Sequence, residues 1–380
     1  MNEKCSETED PSKNRRTMKK KSEKFYMSRV LELAAKGEGR TSPNPMVGCV
    51  IVKNNAIIGE GYHKKAGGPH AEIEALKKAG AKAKGASLYV NLEPCSHYGK
   101  TPPCADAVIR AGIKKVYCAM KDPNPAVSGK GFLRLKKAGI TVKNGIMGKE
   151  AEELNRVFVK NMKTNLPYVR LKSAISLDGK IALACGKSKW ITSKAARAEG
   201  KRLRDISDVV LVGINTVLAD DPRLDAGSKK GIKKVIFDFH GRIPEKARLF
   251  KTAESFGVYV FTSAMPEKKA LRLRARGVNV FYQKGISGMI GEKKALEALY
   301  KVGIRSILAE GGGGIVSSFI KKRLADEISI HISNKFIGED GIPYYRGRGL
   351  LNLAKAVKLE NREIKLTKDD IIINGRLVYE

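Results

Sequence analysis

His70-Ala71-Glu72, then Pro94-Cys95, then Thr101-Pro102-Pro103-Cys104: on these three short pieces the reading of the chain turns. One imidazole and two thiols are three of the ligands that a tetrahedral Zn²⁺ prefers, and a missing fourth protein ligand leaves room for water. Glu72, two residues past the imidazole, is placed to move protons without binding the metal. His-x-Glu alone is a weak signal, and Pro-Cys followed by a second cysteine is a stronger one. The eight residues from Ser96 to Pro103 separate the two thiols, where Cys-x-x-Cys is the usual spacing for such a site. The plain alternative, two buried thiols and a surface histidine, has to be weighed against the chain on either side.

That flanking chain agrees with a site. Ala86 to Leu92 reads as a buried strand running on to Cys95, Pro102-Pro103 pre-sets a helix with Cys104 in its first turn, and Lys115 to Met120 is the next strand. Strand–helix–strand implies a parallel, right-handed crossover. Gly67-Gly68-Pro69 delivers the chain to another helix beginning near His70. All three candidate ligands then sit at strand ends or helix starts, where the helix dipole favours thiolate over thiol. Metal-activated water attacking a ring carbon that carries an amino group, with a carboxylate shuttling protons, is the chemistry of this layout, a nucleobase deaminase.

Further out, Phe25, Val30, Leu33 and Ala34 recur at helical spacing up to Gly37-Gly39. Ser42-Pro43-Asn44-Pro45 is a rigid loop, and Met46–Val52 and Ala56–Gly61 are strands about an Asn54-Asn55 turn. After a second rigid loop, Asp122-Pro123-Asn124-Pro125, come a helix (Phe132–Ala138) and a strand (Ile140–Ile146). Lys149–Met162 reads as one amphipathic helix, and a domain boundary falls near Asn165-Leu166-Pro167. Residues 1–22 are polar with charges of both signs, the composition of a disordered tail, leaving domains at 23–165 and 166–380.

At 380 residues the chain is long enough for two domains. No apolar run reaches membrane-spanning length, no apolar signal peptide opens the chain, and six cysteines do not make a secreted disulfide framework. A cytoplasmic protein is expected. The net charge of +34 raises the question of nucleic acid. The basic residues are dispersed, without a dense stripe interleaved with aromatics, so the expectation is a solvated surface whose positive potential attracts a phosphorylated small molecule.

In the second half, Tyr168–Ile175 is a strand, Asp178-Gly179 a turn, Ser193 the cap of a helix running to Arg204, and Val209–Gly213 a strand. Ile304–Ala309 stops at Glu310, and Gly311-Gly312-Gly313-Gly314 leads into an apolar helix, Ile315–Ile320. A strand, a glycine loop and a helix form a phosphate cradle or simply a tight turn. The dinucleotide fingerprint G-x-G-x-x-G is absent. Glu310 is either a helix-capping carboxylate or a group that binds a sugar hydroxyl. Trp190, the only tryptophan, is core or, with Ser188 and Thr192 beside it, a binding wall.

Assembled, these residues resemble the bifunctional riboflavin-biosynthesis deaminase–reductases. The first-half match runs through Thr41–Pro45, His70–Glu72 and Glu93-Pro94-Cys95-Ser96-His97, then Gly99–Cys104 and Asp122–Pro125. The second-half match runs through Ser176–Lys180, Trp190–Ser193, Thr216–Pro222 and Glu310–Gly312. The long insert between the cysteines is itself a mark of that family. The resemblance implies an α/β protein, with an N-terminal cytidine-deaminase-like αβα domain and a C-terminal dihydrofolate-reductase-like α/β domain. It implies zinc-dependent deamination of a diaminopyrimidinone ribosylamine 5′-phosphate, then NADPH-dependent reduction of the ribosyl chain to ribityl. His70, Cys95 and Cys104 would hold zinc and Glu72 would shuttle protons, with Asn44, His63 and His97 in the pocket. Ala174, Trp190, Thr216, Asp220 and the run Gly312, Gly313, Gly314, Ile315, Val316, Ser317 and Ser318 would meet NADPH. Ser188, Arg204, Leu224 and Glu310 would meet substrate. A cytoplasmic homo-oligomer acting on a small molecule, with neither nucleic acid nor membrane as partner, is expected. A deaminase with a degenerate reductase half and a nucleic-acid base deaminase are the competing expectations. In one place the chain departs from the family: Gly227 stands where an arginine for the substrate phosphate is usual, leaving Arg223, Lys229 or Lys230 to substitute.

Overall fold

Polar–apolar alternation fails in the first half of the chain. Gly48–Lys53 and Ser87–Leu92 are apolar almost throughout, the pattern of strands covered on both faces. A computed structural model describes residues 21–98, 102–125, 127–228, 231–283, 291–347 and 349–380. The expected tail, apart from Lys21 and Ser22, lies outside the described residues, as do Gly99–Thr101 of the cysteine motif and Lys229 and Lys230.

Five strands, β1 (Gly48–Lys53), β2 (Ala56–Tyr62), β3 (Ser87–Leu92), β4 (Lys115–Met120) and β5 (Thr141–Asn144), form one sheet in the order β2-β1-β3-β4-β5. β2, β1 and β3 are antiparallel neighbours, and β3, β4 and β5 run parallel. Helices Ala71–Ala79, Cys104–Arg110 and Lys130–Lys137 pack on one face through Ala71, Ala75, Val108 and Leu135. Helix Glu23–Ala35 covers the other through Tyr26, Met27 and Val30, with Ser22 as its N-cap. Phe25, expected inside, is 46% exposed, because the buried stripe is one residue further on. Gly61 permits the close approach that seats the His70 helix: a Cβ there would meet the carbonyl oxygen of Ala71 at 2.3 Å.

Lys149–Met162 is two helices rather than one, Gly148–Leu154 and Arg156–Thr164. The break is Asn155, whose buried side chain accepts from the Met46 N–H (2.8 Å) and donates to the Met46 carbonyl (2.9 Å). A tertiary bond outweighs the helical periodicity there.

The second half builds a nine-stranded sheet from β6 (Tyr168–Ile175), β8 (Val209–Gly213), β9 (Lys233–Phe237), β10 (Val258–Thr262), β11 (Val278–Tyr282), β12 (Ser306–Ala309), β13 (Glu327–Ser333), β15 (Lys358–Leu366) and β16 (Asp370–Val378). β7 (Lys180–Ala182) and β14 (Ile342–Pro343) pair separately. The order is β11-β10-β9-β8-β12-β6-β13-β16-β15, parallel from β11 to β13 and closed by the antiparallel β15–β16 hairpin. Apolar clusters on the two faces, one around Leu171, Leu211 and Phe319 and the other around Val212, Ile236 and Leu249, complete a three-layer α/β architecture.

The two halves meet at the N-terminal ends of the parallel strands. Asp208 accepts from Ser42 Oγ (3.0 Å) and from the N–H groups of Arg305 (2.8 Å) and Ser306 (3.0 Å). A cavity of about 410 Å³ lies between Pro43–Met46 on one side and Tyr168, Arg170, Lys233 and Arg305 on the other. Among the described residues no helix is long and apolar enough to cross a membrane.

Candidate active sites

Each candidate zinc ligand is held where one element hands over to another. His70 is the extended N-cap residue of helix Ala71–Ala79 and uses no side-chain cap bond, which leaves its imidazole available. Cys95 lies just past β3, and Cys104 is the first residue of helix Cys104–Arg110, set by Pro103. The ligand atoms of His70, Cys95 and Cys104 all lie within 4.8 Å of one another. His70 Nδ1 is 3.2 Å from Cys104 Sγ and 3.7 Å from Cys95 Sγ, and the Cys104 N–H donates to Cys95 Sγ at 3.2 Å.

The donor set fits zinc. Hydrogen bonding from the Cys104 thiol, first, and from His70 holds the Cys95 thiol down to about 4. The same pairing with Cys95, reinforced by burial, pushes the Cys104 thiol far up. Two sulfurs this close cannot both ionise unless a cation joins them, and a divalent cation satisfies both with the imidazole. Glu72 is 3% exposed, and burial, followed by the neighbouring Cys95 charge, pushes its carboxyl up to about 7. That value suits a group that must both take and give a proton.

A cavity of about 510 Å³ opens onto these groups, lined also by Asn44, His63, His97, Asp122 and Asn124. His63 Nδ1 lies 3.0 Å from the Pro69 carbonyl, which can only accept, so this nitrogen carries the proton. Its Nε2 then accepts from Asn44 Nδ2 at 3.1 Å. Burial lowers the His63 pKa, so it is a neutral, oriented ring. Asn44, His63 and His97 thus meet in one cavity with His70, Glu72 and Cys95. Asp122 and Asn124 also line it, although the sequence supplied only their loop and no role. The Pro-Asn-Pro run shared by residues 43–45 and 123–125 was the available signal.

The second candidate site lies at the opposite, C-terminal ends of the parallel strands. Glu310, just past β12, takes a two-pronged bond from Arg204, Nε to Oε1 at 2.5 Å and Nη2 to Oε2 at 2.7 Å, and Arg204 Nη1 also donates to the Asp225 carbonyl at 2.8 Å. Burial pushes the Glu310 carboxyl up, but the charge and hydrogen bonds of Arg204 outweigh it and leave it below its ordinary value. Glu310 therefore faces Arg204 rather than capping a helix, and the N-cap of helix Gly313–Lys321 is Gly312. Lys172 on β6, which no motif singled out, stands against the same pair. Burial lowers its pKa, and Glu310 pulls it back up. Strand alternation makes such a lysine look like a surface residue until the covering helix Lys194–Asp205 is in place.

The expected NADPH contacts are distributed around this edge. Ala174 is near the end of β6, in register with His331. Thr216 and Asp220 lie on helix Ile214–Asp220 immediately after β8, with Asp220 3.8 Å from Lys189 Nζ. Trp190 is 64% exposed, so it is not core, and its ring lies 4.2 Å under the Arg197 guanidinium. Ser188 is half-buried and Leu224 buried. In the glycine run, a Cβ on Gly313 would meet the Pro343 carbonyl oxygen at 2.5 Å, whereas Gly314 has open space around it. Ile315 packs towards Gly213, and Val316 is buried. Ser317 Oγ accepts from the Arg346 N–H (2.6 Å), and Ser318 gives its hydroxyl to Glu292. Both serine hydroxyls are engaged within the protein. At the departure, a Cβ on Gly227 would lie 2.7 Å from Asp205 Oδ2 and 3.2 Å from Lys201 Cβ, and Arg223 pairs with Asp225 at 2.9 Å. Among the described residues, the side chains nearest a Cβ at Gly227 are those of Asp205 and Lys201.

Fold and sites define a class: a zinc-dependent deaminase lobe joined to a reductase lobe built on a parallel sheet. Comparison with known proteins agrees. The family described as cytidine and deoxycytidylate deaminase zinc-binding region matches residues 20–120, and that described as RibD C-terminal domain matches residues 167–373. Riboflavin biosynthesis protein RibD of Bacillus amyloliquefaciens is 43% identical over 354 residues, covering 92% of this chain and 95% of the relative. The protein of that name from Escherichia coli K12 is 39% identical over 367 residues, covering 93% and 98%. The solved structure of Acinetobacter baumannii RibD superposes with a TM-score of 0.84 at 40% identity, covering 93% of this chain and 98% of that one. The Thermotoga maritima diaminohydroxyphosphoribosylaminopyrimidine deaminase/5-amino-6-(5-phosphoribosylamino)uracil reductase gives 0.80 at 37%, with the same coverage. The chain belongs to the RibD family of bifunctional riboflavin-biosynthesis enzymes, a zinc deaminase and an NADPH-dependent reductase in one polypeptide.

Proposed function

We infer that this chain carries out two consecutive steps: hydrolytic removal of the 2-amino group of 2,5-diamino-6-ribosylamino-4(3H)-pyrimidinone 5′-phosphate, then reduction of the ribosyl chain to ribityl. The observation that carries the first step is the meeting of His70, Cys95 and Cys104 within 4.8 Å, with Glu72 buried in the same cavity. Zinc, when bound by those three side chains, supplies a water activated near neutral pH. Glu72 relays the two protons given up by the attacking water, one to the ring nitrogen and one to the departing amino group, so that the oxygen stays as the ring carbonyl and the nitrogen leaves as ammonia. The neutral His63 ring, fixed by Pro69 and Asn44, orients the pyrimidine, and His97 closes the pocket.

For the second step NADPH supplies the hydride. Arg204 and Glu310, each fixing the other, hold the ribosyl hydroxyls, with Ser188 and Leu224 beside them. Ala174, Trp190, Thr216, Asp220 and the Gly312–Ser318 helix start would receive the dinucleotide, with backbone N–H groups there available to its phosphates. Arg223, Lys229 or Lys230 takes the substrate phosphate in place of the usual arginine. The domains divide at 165/166, with 23–165 deaminating and 166–380 reducing. The enzyme works as a cytoplasmic homo-oligomer on a free small molecule, and nucleic acid and membrane are not its partners.

Two assays on the purified chain test this reading: ammonia release from the diaminopyrimidinone phosphate and NADPH oxidation on the deaminated product. Both are expected. Activity only on RNA would replace the reading with a nucleic-acid deaminase. Ammonia release without NADPH oxidation would leave a degenerate reductase half.

A further inference from the structure

We propose that Glu93 is the positioning residue for the far wall of the deaminase pocket, acting through Asp122. Its carboxylate is buried and forms no salt bridge among the described residues. It is met instead by four backbone N–H groups: Oε2 accepts from Asp122 (3.2 Å) and Gly129 (2.9 Å) of the loop, and Oε1 from Gly131 (2.8 Å) and Phe132 (3.2 Å) in the first turn of helix Lys130–Lys137. Burying a charge without a cation is costly unless several donors converge on it, so this arrangement holds the loop in one place. The main chain of Glu93 is fixed separately, its N–H donating to the Met120 carbonyl at 3.1 Å. The side chain is therefore free to serve the loop alone.

What it fixes faces the substrate. Asp122 and Asn124 line the same cavity as His70 and Glu72, and Asp122 Oδ1 accepts from the Asn124 N–H at 2.8 Å, so placing the one places the other. Gly131 lets the loop draw up to the cysteine segment: a Cβ there would lie 2.0 Å from the carbonyl oxygen of Pro94, the residue before Cys95. The carboxylate thus ties the loop carrying one wall to the strand leading to the metal ligands.

The test is Glu93→Gln in the full chain. The amide keeps the shape but turns an NH₂ towards two of the four N–H donors. The deaminase KM is expected to rise about 10- to 100-fold, the loss of one charge-assisted bond. Little change is expected in kcat, zinc content or reductase activity, the last being the folding control. Gly131→Ala, whose Cβ would press on the Pro94 carbonyl and on Glu93 Cγ and Oε1 (both 3.1 Å) and so part the helix start from the cysteine segment, moves KM the same way. On an Asp122→Ala background, Glu93→Gln adds little further, since both act on one wall. A wild-type KM in Glu93→Gln, whatever its melting temperature, overturns the proposal. So does a loss of zinc, or KM changes that multiply in the double variant. The inference rests on deamination occurring in this pocket. Glu72→Ala in the same assay reports on that separately: continued deamination there removes the pocket assignment, whereas the role of Glu93 stands or falls on KM.

Discussion

The two candidate sites differ in what their side chains still need. In the deaminase lobe, two sulfurs and an imidazole crowd together as a donor set that suits a divalent cation. In the reductase lobe, the charges are already matched, Arg204 gripping Glu310 through both oxygens. The first is a set of ligand atoms that fits a metal ion. The second is a finished ion pair at a sheet edge, where polar groups gather at the C-terminal ends of parallel strands. Sites of the first kind lose function when one atom goes, and sites of the second kind lose structure as well.

The sharpest way to break that contrast is Glu72→Ala. Deamination is expected to fall by about 10²- to 10⁴-fold, the range for a positioned acid–base group, with NADPH oxidation on the deaminated product unchanged. An ammonia assay and a 340 nm absorbance assay on one preparation decide it, and normal ammonia release would remove Glu72 from the chemistry. Arg204→Ala comes next. It leaves the largely covered Glu310 with only the charge of Lys172 nearby, so the reductase lobe should lose up to about 3–5 kcal/mol in denaturant unfolding, while deamination persists below the transition. A loss under about 1 kcal/mol would mean that water replaces the guanidinium, as at an exposed pair.

A third test uses pH. Glu310 and Glu327 are both buried carboxyls, which burial pushes up and their arginine partners bring below the ordinary range. Such groups stabilise the fold above their unfolded pKa, about 4.3, and that contribution is lost as pH falls through the depressed folded value. Acid should therefore unfold the reductase lobe progressively below about pH 4.3, and Glu310→Gln should flatten the slope. An unchanged slope would refute the linkage. The smallest expected effect is at Trp190. Its exposed ring stacks on Arg197, so Trp190→Ala should cost about 0.5–1 kcal/mol of stability and show itself instead as a raised KM for NADPH. An unaltered KM would take the ring out of the cofactor site.

The same contrast explains what could be read from the residues. The deaminase centre spans only His70 to Cys104, and buried runs such as Lys115–Met120 and Val209–Gly213 match their strands residue for residue. Their continuous apolar character leaves little choice of period. The break at Asn155 was not legible, since its cause is Met46, far away in sequence. Nor were Glu93 and Lys172, whose partners arrive from other elements. Arg204 and Glu310 were named through the resemblance, but their pairing needed the fold, because 106 residues separate them.

We propose that His70, Cys95 and Cys104 form one metal site with Glu72 beside it and not in it. Zinc per chain, measured by elemental analysis on the wild type, Cys104→Ser and Glu72→Ala, tests it most directly. The account predicts one zinc in the wild type and in Glu72→Ala, and close to none in Cys104→Ser. Equal zinc in all three, or its loss from Glu72→Ala alone, would contradict it.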